Sequence, residues 1–288
     1  MIGVGHITSW MRRRRARRRR FNPYIAGTPV FDRQLFFGRE ELTRRTLRQL
    51  DARSVTLTGE RRIGKTSFLH HLQAVLAAGN GGERRSFPVF VDLEGVTAPG
   101  LFHALIEGAL DALALPPRML GRLRFSAEAR AYGARDFSHD LERLVEHLRH
   151  RRPGSARLVF LIDEVDALRE KPQEICDPWL GPLLEHGSQE LRVVLAGVQR
   201  VAALQPLELS PLTRDEAEAL VKRPVAGVFR YEPSAVERIL TLACGRPYRI
   251  QRLCLHAVNR MLDEGRTTIR LADVDAATGP EPVSSGVQ

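Results

Sequence analysis

Gly59-Glu60-Arg61-Arg62-Ile63-Gly64-Lys65-Thr66 is a complete G-x-x-x-x-G-K-[ST] sequence, continued by Ser67. Residues of these types at this spacing hold phosphate: the amides of a glycine-bearing loop converge on it, and the positive end of the following helix adds to them. Glycine suits positions 59 and 64, because a side chain would obstruct the turn or the approach of phosphate. Lys65 is expected to reach the outer phosphates of a nucleoside triphosphate, and Thr66 to place its hydroxyl on Mg²⁺. Lys65 is one of only three lysines among 44 basic residues. A position that keeps an ammonium where arginine is otherwise the rule suggests work for a compact, flexible charge.

The second chemical group is Leu158-Val159-Phe160-Leu161-Ile162-Asp163-Glu164. An apolar strand ending in a carboxylate delivers that charge to the end of a sheet. Asp163 is expected to hold Mg²⁺, mainly through a coordinated water, and Glu164 to orient the attacking water. An Asp at this place is also a common helix cap; the glycine loop upstream favours the metal role. The adjacent glutamate points to triphosphate hydrolysis, because phosphoryl transfer to a small acceptor would not need it. Asp166 is expected to cap a helix or face solvent.

These groups need a strand before the loop and a helix after it. Ser54–Thr58 reads as a buried strand and Thr66–Ala78 as a helix, preceded by an amphipathic helix over Arg39–Leu50 with Leu42, Leu47 and Leu50 on its apolar side. Further buried strands are expected at Phe87–Leu93, Arg157–Ile162 and Leu191–Ala196. Helices are expected at Pro99–Leu115, Phe137–His150 and Ile175–His186, with a surface excursion over Arg118–Ala134. All-apolar strands separated by helices describe an α/β fold: a parallel sheet sandwiched by helices. From Pro211 the pattern turns helical, at Arg214–Arg223, Ser234–Ala243 and Pro247–Leu262, before a short strand at Thr267–Leu271 and a polar tail. The expected division is an arginine-rich arm (1–21), an α/β domain (22–204), a helical lid (205–278) and a flexible tail (279–288).

The formal charge of +10 belongs to the arm: Arg12–Arg15 and Arg17–Arg20 hold eight of the 44 basic residues, leaving 36 against 34 acidic ones. A basic surface for nucleic acid is expected there alone. The arm reads as a flexible segment attracted to polyanions, as upstream sequence without a role, or, least well, as a targeting segment, since its charges follow its apolar stretch. Cys176, Cys244 and Cys254 have no metal-ligand spacing and suit a reducing cytoplasm; the last two fall in apolar helical stretches and read as core thiols. No stretch is long and apolar enough to span a membrane.

With the loop, the acidic pair and the helical C-terminal part in view, the chain resembles the AAA+-like P-loop ATPases of the bacterial and archaeal signal-transduction (STAND) type, relatives of the origin-recognition ATPases, over about residues 22–277. Asn22-Pro23-Tyr24, Gly27-Thr28-Pro29-Val30 and Phe36-Phe37-Gly38-Arg39-Glu40-Glu41-Leu42 look like that group's lead-in; the resemblance implies that Gly38 and Arg39 help wrap the adenine. Leu209-Ser210-Pro211-Leu212-Thr213, with Glu216-Ala217, is similar to the start of the family's lid. Cys244-Gly245-Arg246-Pro247-Tyr248 is similar to its Gly-x-Pro motif, which implies Pro247 near the base, although proline also suits a helix's first turn.

The chain departs from the family after Leu191–Ala196, where Gln199 stands for a small polar sensor, and in its short linker to Leu209. Arg200, Arg246 and Arg249 each suit phosphate, and no arginine finger is singled out. The resemblance implies ATP and ADP as ligands, Mg²⁺, slow or partner-stimulated hydrolysis, and a nucleotide-controlled switch acting through a protein partner or self-association. A DNA-associated ATPase or loader using the arm, and a module that binds nucleotide without turnover, are the alternatives.

Overall fold

A computed structural model describes residues 21–32, 35–79, 85–97, 100–125, 132–151, 156–167, 190–198 and 204–278. The arm, the helical region expected at 175–186, Cys176, Gln199, Arg200 and the C-terminal tail lie outside the described residues.

Five strands, β1 (Val55–Thr58), β2 (Arg85–Asp92), β3 (Ala156–Asp163), β4 (Leu191–Gly197) and β5 (Gln205–Glu208), form one parallel sheet in the order β2-β3-β4-β1-β5. β1, β3 and β4 are buried at every residue, as strands covered on both faces must be. One face carries Val89, Leu158, Phe160 and Val193 against the helices α3 (Leu101–Leu113) and α5 (Ala134–Arg151). The other meets α2 (Lys65–Ala77), whose Phe68, Leu69 and Leu72 are fully buried and whose His70 ring lies 4.1 Å from that of Phe90. The fold is a parallel sheet flanked by helices with a helical C-terminal region.

Several local readings differ. β5 replaces the expected linker. Pro206 argues against a strand, but β5 pairs only with β1, and an edge tolerates the missing amide. The stretch after α3 is not simply surface. It holds a short helix, α4 (Pro117–Leu120), while Leu123 and Phe125 pack on the core and Tyr132 is buried within it. The helix before β1, α1 (Glu40–Ala52), buries Thr43, Thr46 and Leu50 rather than Leu42 and Leu47. Thr43 and Thr46 satisfy their hydroxyls on the Arg39 and Leu42 carbonyls at 2.9 and 2.7 Å, so they enter an apolar interface without an unmet donor.

By its contacts the chain divides into two compact units: residues 39–210, and residues from 211 onward together with the lead-in up to Gly38. The expected boundary at 205 precedes β5, which belongs to the sheet. In the second unit α6 (Arg214–Lys222), α7 (Pro233–Ala243), α8 (Pro247–Asp263) and α9 (Leu271–Ala276) enclose Leu220, Ile239, Ile250 and Val258. The two-residue strands β6 (Arg230–Tyr231) and β7 (Thr268–Ile269) pair beside them. Helix α9 lies within the expected lid (205–278), after the short strand, where no separate helix was expected. Its Asp273, almost fully buried, receives Arg266 through both oxygens at 2.6 and 2.9 Å; burial alone would raise its pKa, and the guanidinium lowers it. Thr213 and Glu216 cap α6 reciprocally. Cys254 is buried as expected, whereas Cys244 is exposed, because it ends α7 in a left-handed conformation.

Two buried arginines secure the sheet's N-terminal end. Arg157 donates to Ser86 Oγ, the Leu50 carbonyl and Asp51 Oδ1 at 2.8–2.9 Å. Arg192 donates to the Leu50 and Leu191 carbonyls at 2.8 and 2.7 Å and to Asp51 O at 3.2 Å. Both neutralise the otherwise unpaired carbonyls at the C-terminus of α1. Arg157→Met is expected to destabilise the chain by about 2–3 kcal/mol, since it takes the Arg157 donor from Ser86 Oγ and Asp51 Oδ1 and leaves the Leu50 carbonyl to Arg192. Urea unfolding measures this, and an unchanged midpoint would reject the role.

Candidate functional site

The glycine loop lies between β1 and α2, at the C-terminal end of the sheet. Gly64 caps α2 with φ 102°, and Arg62 takes φ 62°, a left-handed conformation that costs a side-chain-bearing residue about 1–2 kcal/mol. The two glycines serve different needs. A Cβ on Gly59 would stand 2.9 Å from both the Leu209 carbonyl and an Ile63 methyl, whereas one on Gly64 would meet nothing. Gly59 is thus required by packing against the chain leaving β5, where the Leu209 amide donates to Thr58 O at 2.8 Å, and Gly64 by its backbone conformation.

Lys65 is 7% exposed, and its ammonium donates to the carbonyls of Gly59 and Glu60 at 3.0 and 3.2 Å. Its charge acts on Asp163 and on Glu164, in each case favouring the ionised carboxylate. Thus the loop and the acidic pair, distant in sequence, come together. β4 lies between their strands: Thr58 is opposite Gly197, and Leu161 is opposite Val194.

Asp163 is 1% exposed. Its Oδ1 accepts the Glu164 amide at 3.0 Å, while Oδ2 is buried with no hydrogen-bond partner in the structure. Burial raises its pKa above the ordinary value; the Thr66 hydroxyl and the Glu164 amide oppose this, and Asp92 adds to it. Glu164 follows at φ 51°, its carboxylate also raised, first by loss of water and then by Asp163. A buried carboxylate oxygen without a donor, beside a threonine hydroxyl, suits a hard divalent cation such as Mg²⁺. Among the described residues no cluster of three or more His, Cys, Asp or Glu could hold a metal; a cation here would need oxygens from its ligand and water.

Two carboxylates at this end escaped sequence reasoning. Asp92, at the end of β2, is opposite Asp163 and accepts the Glu94 amide at 2.9 Å. The signal was available, since β2 also ends an apolar run in an aspartate. Asp166 is neither a helix cap nor merely solvated. From the 3-10 turn Val165–Ala167 its Oδ2 accepts the Val198 amide. Glu60, Arg61 and Arg62 are exposed on the loop, Ile63 is buried beneath it, and Thr66 and Ser67 are half-buried in the first turn of α2.

Arg39 is buried where α1 begins, with φ 73°. Gly38 and Pro247 belong to the C-terminal unit. Gly38 takes φ 71° where a Cβ would meet Leu212 and Glu216 at 2.9 and 3.2 Å, and Pro247 opens α8. The lead-in is bonded to that same unit: Tyr24 OH donates to the Val221 carbonyl, and Asn22 Nδ2 to Leu255 O at 2.8 Å.

Residues 48–204 match the family described as "AAA domain". Among solved structures, the chain is similar to the Walker-type ATPase PABY2304 of Pyrococcus abyssi (TM-score 0.58, 16% identity, 87% of this chain and 73% of that one). It is also similar to Drosophila ORC bound to DNA (0.62, 13%, 93% and 65%) and to the Aeropyrum pernix ORC2 protein in its ADPNP–ADP complexes (0.57, 16%, 85% and 71%). The chain thus spans about two thirds to three quarters of these relatives, and at such identities the likeness is one of fold. No curated protein matches the chain.

Gly59→Ala is expected to cost about 1–3 kcal/mol by overpacking. At position 64, alanine is expected to cost about 1–2 kcal/mol and asparagine less, because asparagine tolerates left-handed backbone. Urea unfolding of the three variants checks this; equal stability of Gly59→Ala and the parent would reject the packing account.

Proposed function

The chain belongs to the AAA domain family, and on that premise we propose that it binds ATP with Mg²⁺ and hydrolyses it slowly, as a nucleotide-controlled conformational switch. The observation that carries this reading is the buried Asp163 oxygen without a partner, at the end of a wholly buried strand and within reach of the charge of Lys65.

In this reading the amides of residues 59–64 cradle the β-phosphate, and the Lys65 ammonium exchanges its two loop carbonyls for β- and γ-phosphate oxygens. Mg²⁺, held by the Thr66 hydroxyl and by Asp163 through bound water, would neutralise charge on the outer phosphates. Glu164 orients the attacking water and takes up its proton. A switch requires the nucleotide to bind two arrangements of the protein with different affinity; the C-terminal helical unit is the natural responder, with Gly38, Arg39 and Pro247 proposed around the base. The finer assignment to the STAND type, with output through a protein partner or self-association in the cytoplasm, rests on the resemblance of the lead-in and the Cys244–Tyr248 segment.

Lys65→Ala is expected to weaken Mg·ATP binding by at least about tenfold, whereas Glu164→Gln keeps affinity within about threefold and slows hydrolysis about a hundredfold. Calorimetric titration and phosphate release separate the two effects. Normal hydrolysis by both variants would end the assignment.

The arginine arm supports a second reading, DNA association. That reading predicts binding that falls steeply with salt and depends on residues 12–20. Titration of duplex DNA between 50 and 200 mM salt, with and without the arm, tests it; salt-insensitive or arm-independent binding rejects it.

A further inference from the structure

The end of β4 stands between the two halves of the site. On one side Gly197 is opposite Thr58, the residue before the glycine loop. On the other, the next amide, Val198 N, is taken by Asp166, three residues beyond Asp163, at 2.5 Å. Gly197 takes no positive φ, so its backbone does not require glycine. Its space does: a Cβ there would stand 3.0 Å from Asp166 Oδ2 and 3.4 Å from Oδ1. The carboxylate cannot withdraw without releasing the Val198 amide. Between Asp163 and Asp166 the chain makes one abrupt move, the left-handed Glu164 at φ 51°, followed directly by the 3-10 turn that carries Asp166. A glutamate holds this conformation only where its surroundings over-determine it. At its start it is fixed by Asp163, the last residue of β3, whose Oδ1 accepts its amide. At its end, Asp166 bonds the turn to the sheet through the Val198 amide.

We propose that Asp166 is a positioning residue for the hydrolytic glutamate. By gripping the Val198 amide over the gap left by Gly197, it pins the acidic turn to the end of β4 and so maintains the left-handed backbone that aims Glu164. The proposal rests on the ATPase reading of this site. Asp166 need not touch nucleotide, metal or water; it sets the direction of a group that does, and outer supports of this kind typically affect activity by about 10- to 100-fold. It also makes residues 166 and 197 a coupled pair, since a methyl at 197 does harm only while a carboxylate fills the space opposite.

The test compares Asp166→Ala, Asp166→Asn, Gly197→Ala and the Asp166→Ala/Gly197→Ala double variant by steady-state hydrolysis, ATP binding, thermal unfolding and exchange of the Val198 amide. Asp166→Ala is expected to lower kcat about 10- to 100-fold, leave ATP affinity within about threefold and speed exchange at Val198. Asp166→Asn, which retains an acceptor oxygen, restores kcat to within about threefold of the parent across the pH profile. Gly197→Ala lowers kcat in the parent but adds nothing in the Asp166→Ala background.

A parent-like kcat in Asp166→Ala overturns the proposal. So does equal loss in the Ala and Asn variants, which would mark a role for charge instead of position, or full additivity of the two substitutions. Should Asp166→Ala fail to fold, Asp166→Asn and Gly197→Ala decide on the same readouts. A parent chain that binds ATP and never turns it over sinks the hydrolysis reading and the positioning role with it. A parent that hydrolyses alongside an equally fast Asp166→Ala sinks only the latter.

Discussion

A carboxylate oxygen sealed from water and left without a donor is the condition around which the sheet unit is arranged. Asp163 reaches that state because β3 is apolar from Leu158 to Ile162 and buried on both faces, so the strand carries its last residue into a place that water would otherwise fill. Such an oxygen is costly unless something positive or polar answers it. Thr66, the Glu164 amide and the charge of Lys65 answer in part, while Asp92 opposes them. The imbalance favours an added cation, and an added cation brings oxygen-rich ligands with it. The glycine loop proposed to cradle such a ligand lies across β4 from this carboxylate. The spacing between loop and carboxylate is therefore a property of strand order, independent of how far apart they stand in sequence.

That geometry has to be held from elsewhere, since the C-terminal ends of the strands are occupied by loops with left-handed residues and crowded charge. The opposite end supplies the rigidity. Arg157 and Arg192, on neighbouring strands, both bind the last carbonyls of α1, and Arg157 also reaches Ser86 on β2. Three strands and a helix are joined by forked donors buried from water, where such bonds are strongest and least tolerant of distortion. The sheet is thereby a plate fixed at one edge and strained at the other. Strain at Arg62 and Glu164 is affordable because packing below them does not give way.

What could be read in advance follows from how local each cause is. The glycine loop, the apolar strands and the first three helices of the C-terminal unit each declare themselves in contiguous residues, and they appear where expected. β7 falls within the short strand expected at Thr267–Leu271, whereas β5 and β6 are too short for a pattern, and β5 carries a proline that only its edge position excuses. Thr43 and Thr46 hide an apolar face behind polar names, because their hydroxyls are satisfied within the helix. Asp166 seemed a surface group because its partner is an amide 32 positions away, and no periodicity points across that distance. The lead-in was grouped with the sheet by resemblance, yet Asn22 and Tyr24 spend their hydrogen bonds on the C-terminal helices. Those contacts depend on tertiary position alone.

The division of labour between the two basic residue types follows from the same physics. Where a cation must hold several fixed acceptors in one geometry, as at 157, 192 and 266, the chain uses arginine, whose planar fork matches two acceptors at once and does not turn. Lys65 is bonded instead to two consecutive carbonyls of its own loop by a compact ammonium with three rotatable donors. Those bonds close the loop on itself, and in the proposed ATPase the flexible stem would give them up one at a time to phosphate oxygens. A guanidinium at this place would demand a wider, flatter set of acceptors than the two consecutive loop carbonyls offer. On the proposed reading, lysine at this position in a chain that otherwise favours arginine serves a bond that is exchanged as well as made.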